Sequence, residues 1–222
     1  MARQIFVGMV TEGPTDIRFL QSVVARTFQY IVYNEGTYDV DLQFYPVNVS
    51  KIGLDFPNLA KEAWKRGTAD FGMTVLAIHT DADRETYEIR RRQKIDPAKE
   101  ALEALEVGCS RYLTPIIPVR MIEAWMLADI RLLKEEMGTD KSDQELGIAR
   151  NPETIADPKS VIEQAIRIAT ADKPKRRQRL SISDLYFIIG DKIKLSELER
   201  LDSYRKFQDE VRETLRKLNC IH

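Results

Sequence analysis

Residues 3–20 read RQIFVGMVTEGPTDIRFL, an apolar segment, a short polar break and then a second apolar pattern with a different period. The first segment is dense in β-branched and apolar residues, which is typical of a strand buried on both faces of a parallel sheet. After the break, apolar residues recur at steps of three and four as far as Phe28, which predicts a helix. That helix begins near Thr15 or Asp16, and either residue is able to cap it.

The alternation of strand and helix patterns continues along the chain. Further strands are predicted in DVDLQFYPVNV (39–49), GMTVLAIHT (72–80) and YLTPIIPV (112–119). Helices are predicted in PNLAKEAWKRG (57–67), ending at its glycine, in the charged segment 84–108, interrupted near Pro97, and in MIEAWMLADIRLLKEEMG (121–138). This order of elements predicts an α/β fold with a Rossmann-like, mostly parallel sheet flanked by helices.

The chain divides by pattern near residue 130, beyond which helices and loops follow one another. We expect residues 1–130 to form the core that contains the sheet, and residues 131–222 to form a C-terminal helical lobe packed on it. A chain of 222 residues, with 43% hydrophobic and 31% charged residues, is long enough for one core with a modest extension.

Composition and charge restrict the location and the partners. No apolar stretch is long enough to cross a bilayer, and MARQIFVGMV (1–10) is too short for a signal peptide, so we expect a cytoplasmic protein with no membrane partner. Cys109 and Cys220 are far apart, which predicts two reduced thiols. The net charge of −1 excludes a uniformly basic surface, so a nucleic-acid site must be local. Two stretches are basic enough to supply one, RRRQK (90–94) and KPKRRQR (173–179).

Acidic residues follow two of the predicted strands. Glu12 comes just after the first strand, and Asp81 comes just after the strand that ends in LAIHT. In an open parallel sheet, ligands bind beyond the carboxyl ends of the strands, where these acids are expected to lie. Asp81 and Asp83 are two residues apart, so an extended backbone would direct both to one side.

Carboxylates that converge in this way repel one another unless a cation neutralises them. Ligation by Glu12, Asp81 and Asp83 through oxygen alone suits Mg²⁺ or Mn²⁺. Asp16 stands where it would either cap the following helix or bind the metal. Each acid taken singly is also compatible with a solvated loop or a helix cap. His79, in the buried strand before Asp81, is more typical of a core histidine than of a ligand.

The segments TEGPTD (11–16) and HTDAD (79–83) resemble the two motifs of the Toprim domain, the metal-dependent fold of topoisomerases, bacterial primases and the nucleases of the overcoming-lysogenization-defect family. The resemblance implies a Toprim-like fold in which Glu12, Asp81 and Asp83 bind metal. In the nuclease branch an additional acid four residues after the glutamate also serves the metal, and that position is Asp16 here.

A second pair of segments makes the resemblance more specific. IPVRMIEAWMLAD (117–129) and NPETIADPK (151–159) resemble the bacterial Toprim-like family called domain of unknown function 4276, over nearly the whole chain. The resemblance implies that Glu123 is also a site residue, although this chain has Met121 where relatives often carry an acid. An alternative is that Glu123 lies on the solvated face of its helix. Lys159, and Lys173 or Lys175, would stabilise charge on a phosphate or would simply be solvated.

The resemblance implies a nuclease that uses Mg²⁺ or Mn²⁺ to hydrolyse phosphodiester bonds in DNA or RNA. Glu12 and Asp16 would hold one cation and Asp81 with Asp83 a second, with Glu123 bridging them or orienting water. The chain has no P-loop pattern, so a separate partner ATPase is expected, as in anti-phage defence systems of related nucleases. A homo-oligomer is a further open expectation.

Two other functions remain open from the sequence. One is a Toprim-like binding or scaffold subunit that does not cleave. The other is a phosphatase of the haloacid-dehalogenase type, which also carries Asp-x-Asp after a strand. The phosphatase is disfavoured because its nucleophile follows the first strand, and because its usual threonine or valine is Glu85 here.

Overall fold

The structure is a computed structural model that describes residues 3–105 and 111–222. Its sheet has four parallel strands in the order β2–β1–β3–β4. The strands are β1 (Arg3–Val10), β2 (Val40–Pro46), β3 (Val75–His79) and β4 (Tyr112–Ile116). The predicted α/β class with a parallel sheet flanked by helices is therefore confirmed.

Helices connect the strands and then form the C-terminal part of the chain. The α-helices are α1 (Asp16–Glu35), α2 (Phe56–Phe71), α3 (Tyr87–Arg90), α4 (Asp96–Glu103), α5 (Ile122–Met126), α6 (Ile130–Met137), α7 (Pro158–Thr170), α8 (Ile182–Lys192), α9 (Leu195–Leu198) and α10 (Asp202–Lys217). A π-helical turn at Arg91–Ile95 joins α3 to α4 just before Pro97, which is the interruption expected there. Cys109 and the end of the charged segment lie outside the described residues.

The helix predicted to end at Gly67 continues for another turn. It ends at Phe71, and Gly72 follows in the left-handed conformation with φ 68°. Gly67 has a different purpose, because a Cβ there would lie 2.7 Å from the Sδ atom of Met73. The glycine inside the helix allows a close side-chain contact, and the glycine after it supplies the C-cap.

The prediction of a single amphipathic helix over 121–138 is wrong, because the structure has two helices there. The break follows from Asp129, whose carboxylate accepts the N–H of Leu132 at 3.0 Å and starts α6 as an N-cap. The shorter helix α5 is buried along its whole length, including Glu123. The apolar period alone does not reveal such a break, since an aspartate also fits the polar face of an amphipathic helix.

Two clusters of buried residues lie on opposite faces of the sheet. Val75 and Ala77 of β3 face the larger cluster with α1, whereas Leu76 and Ile78 face the smaller one with α2 and α4. The larger cluster also contains buried residues of α5 to α8 and α10. The helices after residue 130 thus share a core with α1 and the sheet, while the boundary near residue 130 stays a prediction.

Candidate functional site

The strand order places two loops together at the carboxyl edge of the sheet. The chain leaves β1 for β2 on one side and later returns to place β3 on the other side of β1. The loops that follow β1 and β3 therefore diverge over a crevice, which is the position where open α/β sheets bind ligands. Glu12 lies in the first loop and Asp81 in the second.

Glu12 is joined to the second loop by two hydrogen bonds. Its carboxylate accepts the backbone N–H of Asp81 at 3.0 Å and the hydroxyl of Thr80 at 3.1 Å. The ammonium of Lys51, from the loop after β2, donates to the backbone carbonyl of Glu12 at 2.7 Å and also to that of Thr11. The structure thus brings Glu12 and Asp81 together, as the sequence predicts.

His79 lies between two of the predicted ligands. It is buried, with Nε2 3.1 Å from a carboxylate oxygen of Asp81 and Nδ1 3.5 Å from one of Asp16. Burial alone would lower the pKa of His79, but its hydrogen bonds to Asp16 and Asp81 raise that pKa to about 9. The imidazolium is therefore the counter-ion of both carboxylates. The sequence favoured a core histidine over a ligand, and this bridging contact was not foreseen.

Asp16 is the first residue of α1, but its carboxylate closes the turn before the helix. It accepts the N–H of Gly13 at 2.5 Å, and a Cβ at Gly13 would lie 2.9 Å from that carboxylate. Thr15 holds the N-cap position without a capping hydrogen bond, and its hydroxyl donates instead to the Asp16 carboxylate at 3.4 Å. Burial would raise the pKa of Asp16, but its bonds to His79, Gly13 and Thr15 lower it. Asp16 is consequently ionised and is directed towards the site.

The pKa of Asp81 is shifted in the opposite direction to that of Asp16. Burial raises the pKa of its carboxyl, and the hydrogen bond to His79 offsets the shift only in part, while the charges of Asp16 and Glu12 add to it. An acid held near like charges in this way is typical of a functional site, and a cation there would relieve the repulsion.

Asp83 has a different environment from that expected. The backbone is not extended at this residue, because its φ of 53° lies in the left-handed region. The carboxylate of Asp83 pairs with Arg90 at 2.7 Å, and its N–H donates to the carbonyl of Arg120 at 2.9 Å. Arg120 is itself left-handed, with φ 66°. Two non-glycine residues in this region, held against each other beside the site, mark a strained turn.

Glu123 is buried beside the acids, so the alternative of a solvated helix face is wrong for this residue. The hydroxyl of Tyr186 on α8 donates a hydrogen bond to its Oε1 atom. Burial raises the pKa of Glu123, and so does the charge of Asp81, while the Tyr186 hydrogen bond and the charge of Lys159 act against the shift. Lys159 is exposed in the first turn of α7.

The residue types at this edge fit a hard divalent cation, because they offer carboxylate oxygens and a net negative charge. Within residues 3–105 and 111–222, however, histidine, cysteine and acidic side chains nowhere form a group of three already arranged to hold a metal. Asp16 and Asp81 share His79 instead. A cation at Glu12 and Asp81 would therefore have to compete with the imidazolium for the Asp81 carboxylate.

Three contributors to the site were not identified from the sequence. Lys51 had a usable signal, because it follows β2 and so belongs to the same edge of the sheet. Thr80 lies between His79 and Asp81 in the sequence, and its contact with Glu12 was not predicted. Tyr186 gives no local signal, since its partner Glu123 lies 63 residues earlier.

The fold and the site together define an α/β protein with an acid–histidine–acid cluster at the carboxyl edge of a parallel sheet. The chain belongs to the family described as Domain of unknown function (DUF4276), which matches residues 11–208. The predicted membership of that family is therefore confirmed. Searches among curated proteins and among solved structures found no match. No helix in the described part of the chain has the length and apolar character needed to cross a membrane.

Proposed function

We propose that this protein is a Toprim-type, metal-dependent nuclease that hydrolyses phosphodiester bonds in DNA or RNA. The observation that carries the proposal is the contact between Glu12 and Asp81, whose loops meet at the switch point of the sheet. Paired acids at this edge are suited to neutralising charge on a phosphate through a cation. The order of strand, glutamate and helix, then strand and aspartate, agrees with the Toprim resemblance of TEGPTD and HTDAD.

In this proposal Glu12 and Asp81 hold a Mg²⁺ or Mn²⁺ ion, with Asp16 beside them. Such an ion, when bound, supplies Lewis acidity for the phosphoryl oxygen and lowers the pKa of water. Burial raises the pKa of the Glu123 carboxyl, and the hydrogen bond from Tyr186 fixes the orientation of that carboxyl beside the acids. Lys159 adds a positive charge near Glu123 for an anionic substrate. Asp83 as a ligand stays a prediction that requires release from Arg90.

The proposal includes the partners expected from the resemblance. A separate ATPase would supply any nucleotide-driven step, since the chain has no P-loop, and the pair would act in defence against phage. A homo-oligomer is part of the same proposal. The partner ATPase is tested by co-expressing this protein with a candidate ATPase and looking for a stable complex by size-exclusion chromatography. Repeated absence of a complex would remove the ATPase from the proposal.

A second candidate is a scaffold subunit that does not cleave. The observation in its favour is His79, which already compensates the charges of Asp16 and Asp81 without a metal. A site stabilised in this way is able to persist as structure alone.

Cleavage of supercoiled plasmid and of single-stranded RNA with Mn²⁺ or Mg²⁺ separates the two candidates. The nuclease predicts cleavage that EDTA abolishes and that Glu12→Gln or Asp81→Asn reduces by about 100-fold or more. Asp209→Asn is the matched control, because Asp209 is an exposed acid of α10 paired with Arg212. Absence of metal-dependent cleavage, or equal cleavage by all variants, would favour the scaffold.

A further inference from the structure

The segment between α7 and α8 carries a dense positive charge. Residues 173–179, here called the basic loop, contain five lysines and arginines among seven residues, in a chain whose net charge is −1. Most of the loop is exposed. Arg176, Arg177 and Arg179 line an open pocket of about 680 Å³ together with Pro174 and Leu180.

In the other basic stretch, residues 90–94, three of the four cations contact other side chains of the protein. Arg90 pairs with Asp83 at 2.7 Å, and Arg91 pairs with the buried Glu210. The ammonium of Lys94 lies 5.5 Å from the ring centre of Phe56. By contrast, within the described residues the cations of the basic loop form no ion pair with an acid. The loop therefore carries charge that the fold does not compensate.

The fold holds the basic loop in a defined shape. The side-chain amide of Gln178 donates to the carbonyls of Lys173 at 2.8 Å and Ala171 at 3.3 Å, and a 3₁₀ turn forms at Arg177–Arg179. At the exit, Ser181 and Asp184 form a capping box that starts α8. Asp184 also lines the pocket, but its carboxylate accepts hydrogen bonds from Ser181 and, in the part of the chain that the structure describes, forms no ion pair with the arginines of the loop. A backbone held in shape before binding loses less conformational entropy when a ligand arrives.

The basic loop leads directly to the candidate site. It enters α8 at Ile182, and one turn later Tyr186 donates its hydroxyl to Glu123. The same helix packs against α5 and against α1, which begins at Asp16, so α8 lies beside the acidic cluster. One helical turn spans about 5 Å, and one strand of a duplex carries a phosphate about every 3.4 Å. A strand of several nucleotides that contacts the loop is therefore long enough to follow the start of α8 towards the site.

We infer that the basic loop binds the sugar–phosphate backbone of a nucleic acid and holds that strand beside the acidic cluster. The inference deepens the proposed function and rests on it. Arginine is suited to this contact because its planar guanidinium forms paired hydrogen bonds with phosphate oxygens. Since the segment contains no aromatic residue, the contact is made to the backbone and is independent of base sequence.

The test is binding of fluorescein-labelled 20-nucleotide DNA and RNA, each single-stranded and duplex, measured by anisotropy in EDTA so that cleavage cannot occur. The loop variant combines Lys175→Gln, Arg176→Gln and Arg179→Gln, and leaves Arg177 in place because its guanidinium packs on Gly138. The control variant combines Lys65→Gln, Arg66→Gln and Lys217→Gln, which removes the same charge from exposed intrahelical ion pairs.

The loop variant should bind at least about 10-fold more weakly than the unchanged protein at low salt. The slope of log K against log salt should fall by about 2 to 3 for duplex, because each phosphate contact contributes about 0.9. The control variant should keep the affinity and the slope. Equal affinity of the loop variant and the unchanged protein, or equal weakening by both variants, would overturn the inference.

Two further arms separate the inference from the proposed function. Binding that depends on the loop, without cleavage in Mn²⁺, supports the inference and removes the nuclease. Cleavage that depends on Glu12, with binding that ignores the loop, removes the inference and supports the nuclease. Loop-dependent binding to phosphatidylserine vesicles, with no binding to DNA or RNA, would assign the loop to a membrane surface and overturn the inference.

Discussion

His79 is the residue that links the acids of the cluster to one another. Asp16 begins α1, Asp81 lies in the loop after β3, and both are largely shielded from water, so their negative charges would repel each other. The buried imidazolium between them compensates both charges. Glu12 is held through Thr80 and the backbone of Asp81, and its own backbone N–H lies 3.4 Å from Nδ1 of His79. The histidine therefore keeps the two loops in register before any cation binds.

This arrangement predicts a fall in stability at alkaline pH. The pKa of His79 is about 9 in the folded protein and has an ordinary value of 6.5. The folded state therefore retains a proton that the unfolded chain releases, so the stabilisation is complete below about pH 6.5 and is lost as the pH rises through 9. The difference corresponds to about 3 kcal/mol. Urea unfolding in EDTA between pH 6 and 9.5 measures it.

The chain provides its own control for this titration, because it has two histidines. His222→Gln changes the exposed C-terminal residue and should leave the slope of stability against pH intact. His79→Gln should remove that slope and lower stability at pH 6. A slope that survives in His79→Gln would show that another group titrates and would contradict the role assigned to His79.

At this scale the sequence predicts positions better than contacts. Glu12 and Asp81 follow from their place after buried strands, since the carboxyl ends of parallel strands meet at one edge. The direction of Asp83 does not follow, because a left-handed residue replaces the extended backbone that the two-residue spacing assumed. The contact between Tyr186 and Glu123 depends on the packing of α8, which no local pattern contains.

At the scale of elements, sequence patterns predict where helices and strands exist and are weaker on where they end. The strands and α1 were found within a few residues, because buried strands and long periodic helices have strong patterns. The errors at Gly67 and near Asp129 have one origin. A glycine is able to end a helix or to allow close packing inside it, and an aspartate is able to lie on a polar helix face or to cap a new helix. Only the three-dimensional neighbours show which role applies at each position.

The crossing of α1 and α8 depends on a glycine and gives a prediction for the site. A Cβ at Gly190 would lie 2.5 Å from the carbonyl oxygen of Phe19 and 2.8 Å from its Cα, so backbone would have to move. Gly190→Ala should therefore destabilise the protein by about 1 to 3 kcal/mol in urea unfolding. Because α8 carries Tyr186, the shift should also weaken its hydrogen bond to Glu123 and, if the proposed nuclease is correct, reduce metal-dependent cleavage.

Ser183→Ala is the matched control, since it places the same side chain at an exposed position of α8. It should change stability by less than about 0.5 kcal/mol. If Gly190→Ala were as stable as Ser183→Ala, the close approach of α8 to α1 would not be needed, and the position of Tyr186 would need another explanation.

At the scale of the whole molecule, the two buried clusters are faces of one sheet. Alternate residues of β3 belong to different clusters, so neither cluster is able to lose its strands without exposing the other. The larger cluster joins α1 to Trp125 of α5 and to Phe207 of α10. Residues on both sides of the boundary predicted near residue 130 are therefore packed together.

This shared core predicts that the chain unfolds in one cooperative transition. The two tryptophans report on different faces, because Trp64 belongs to the smaller cluster and Trp125 to the larger one. The variant Trp64→Phe leaves only Trp125 to fluoresce, and Trp125→Phe leaves only Trp64. In each variant the remaining fluorescence should change at the same urea concentration as the far-ultraviolet circular dichroism. Comparison within each variant matters, since Trp125→Phe also loses the hydrogen bond to Ser203 and shifts the midpoint. Separate transitions in either variant would instead indicate that the two clusters unfold independently, which would contradict the shared core.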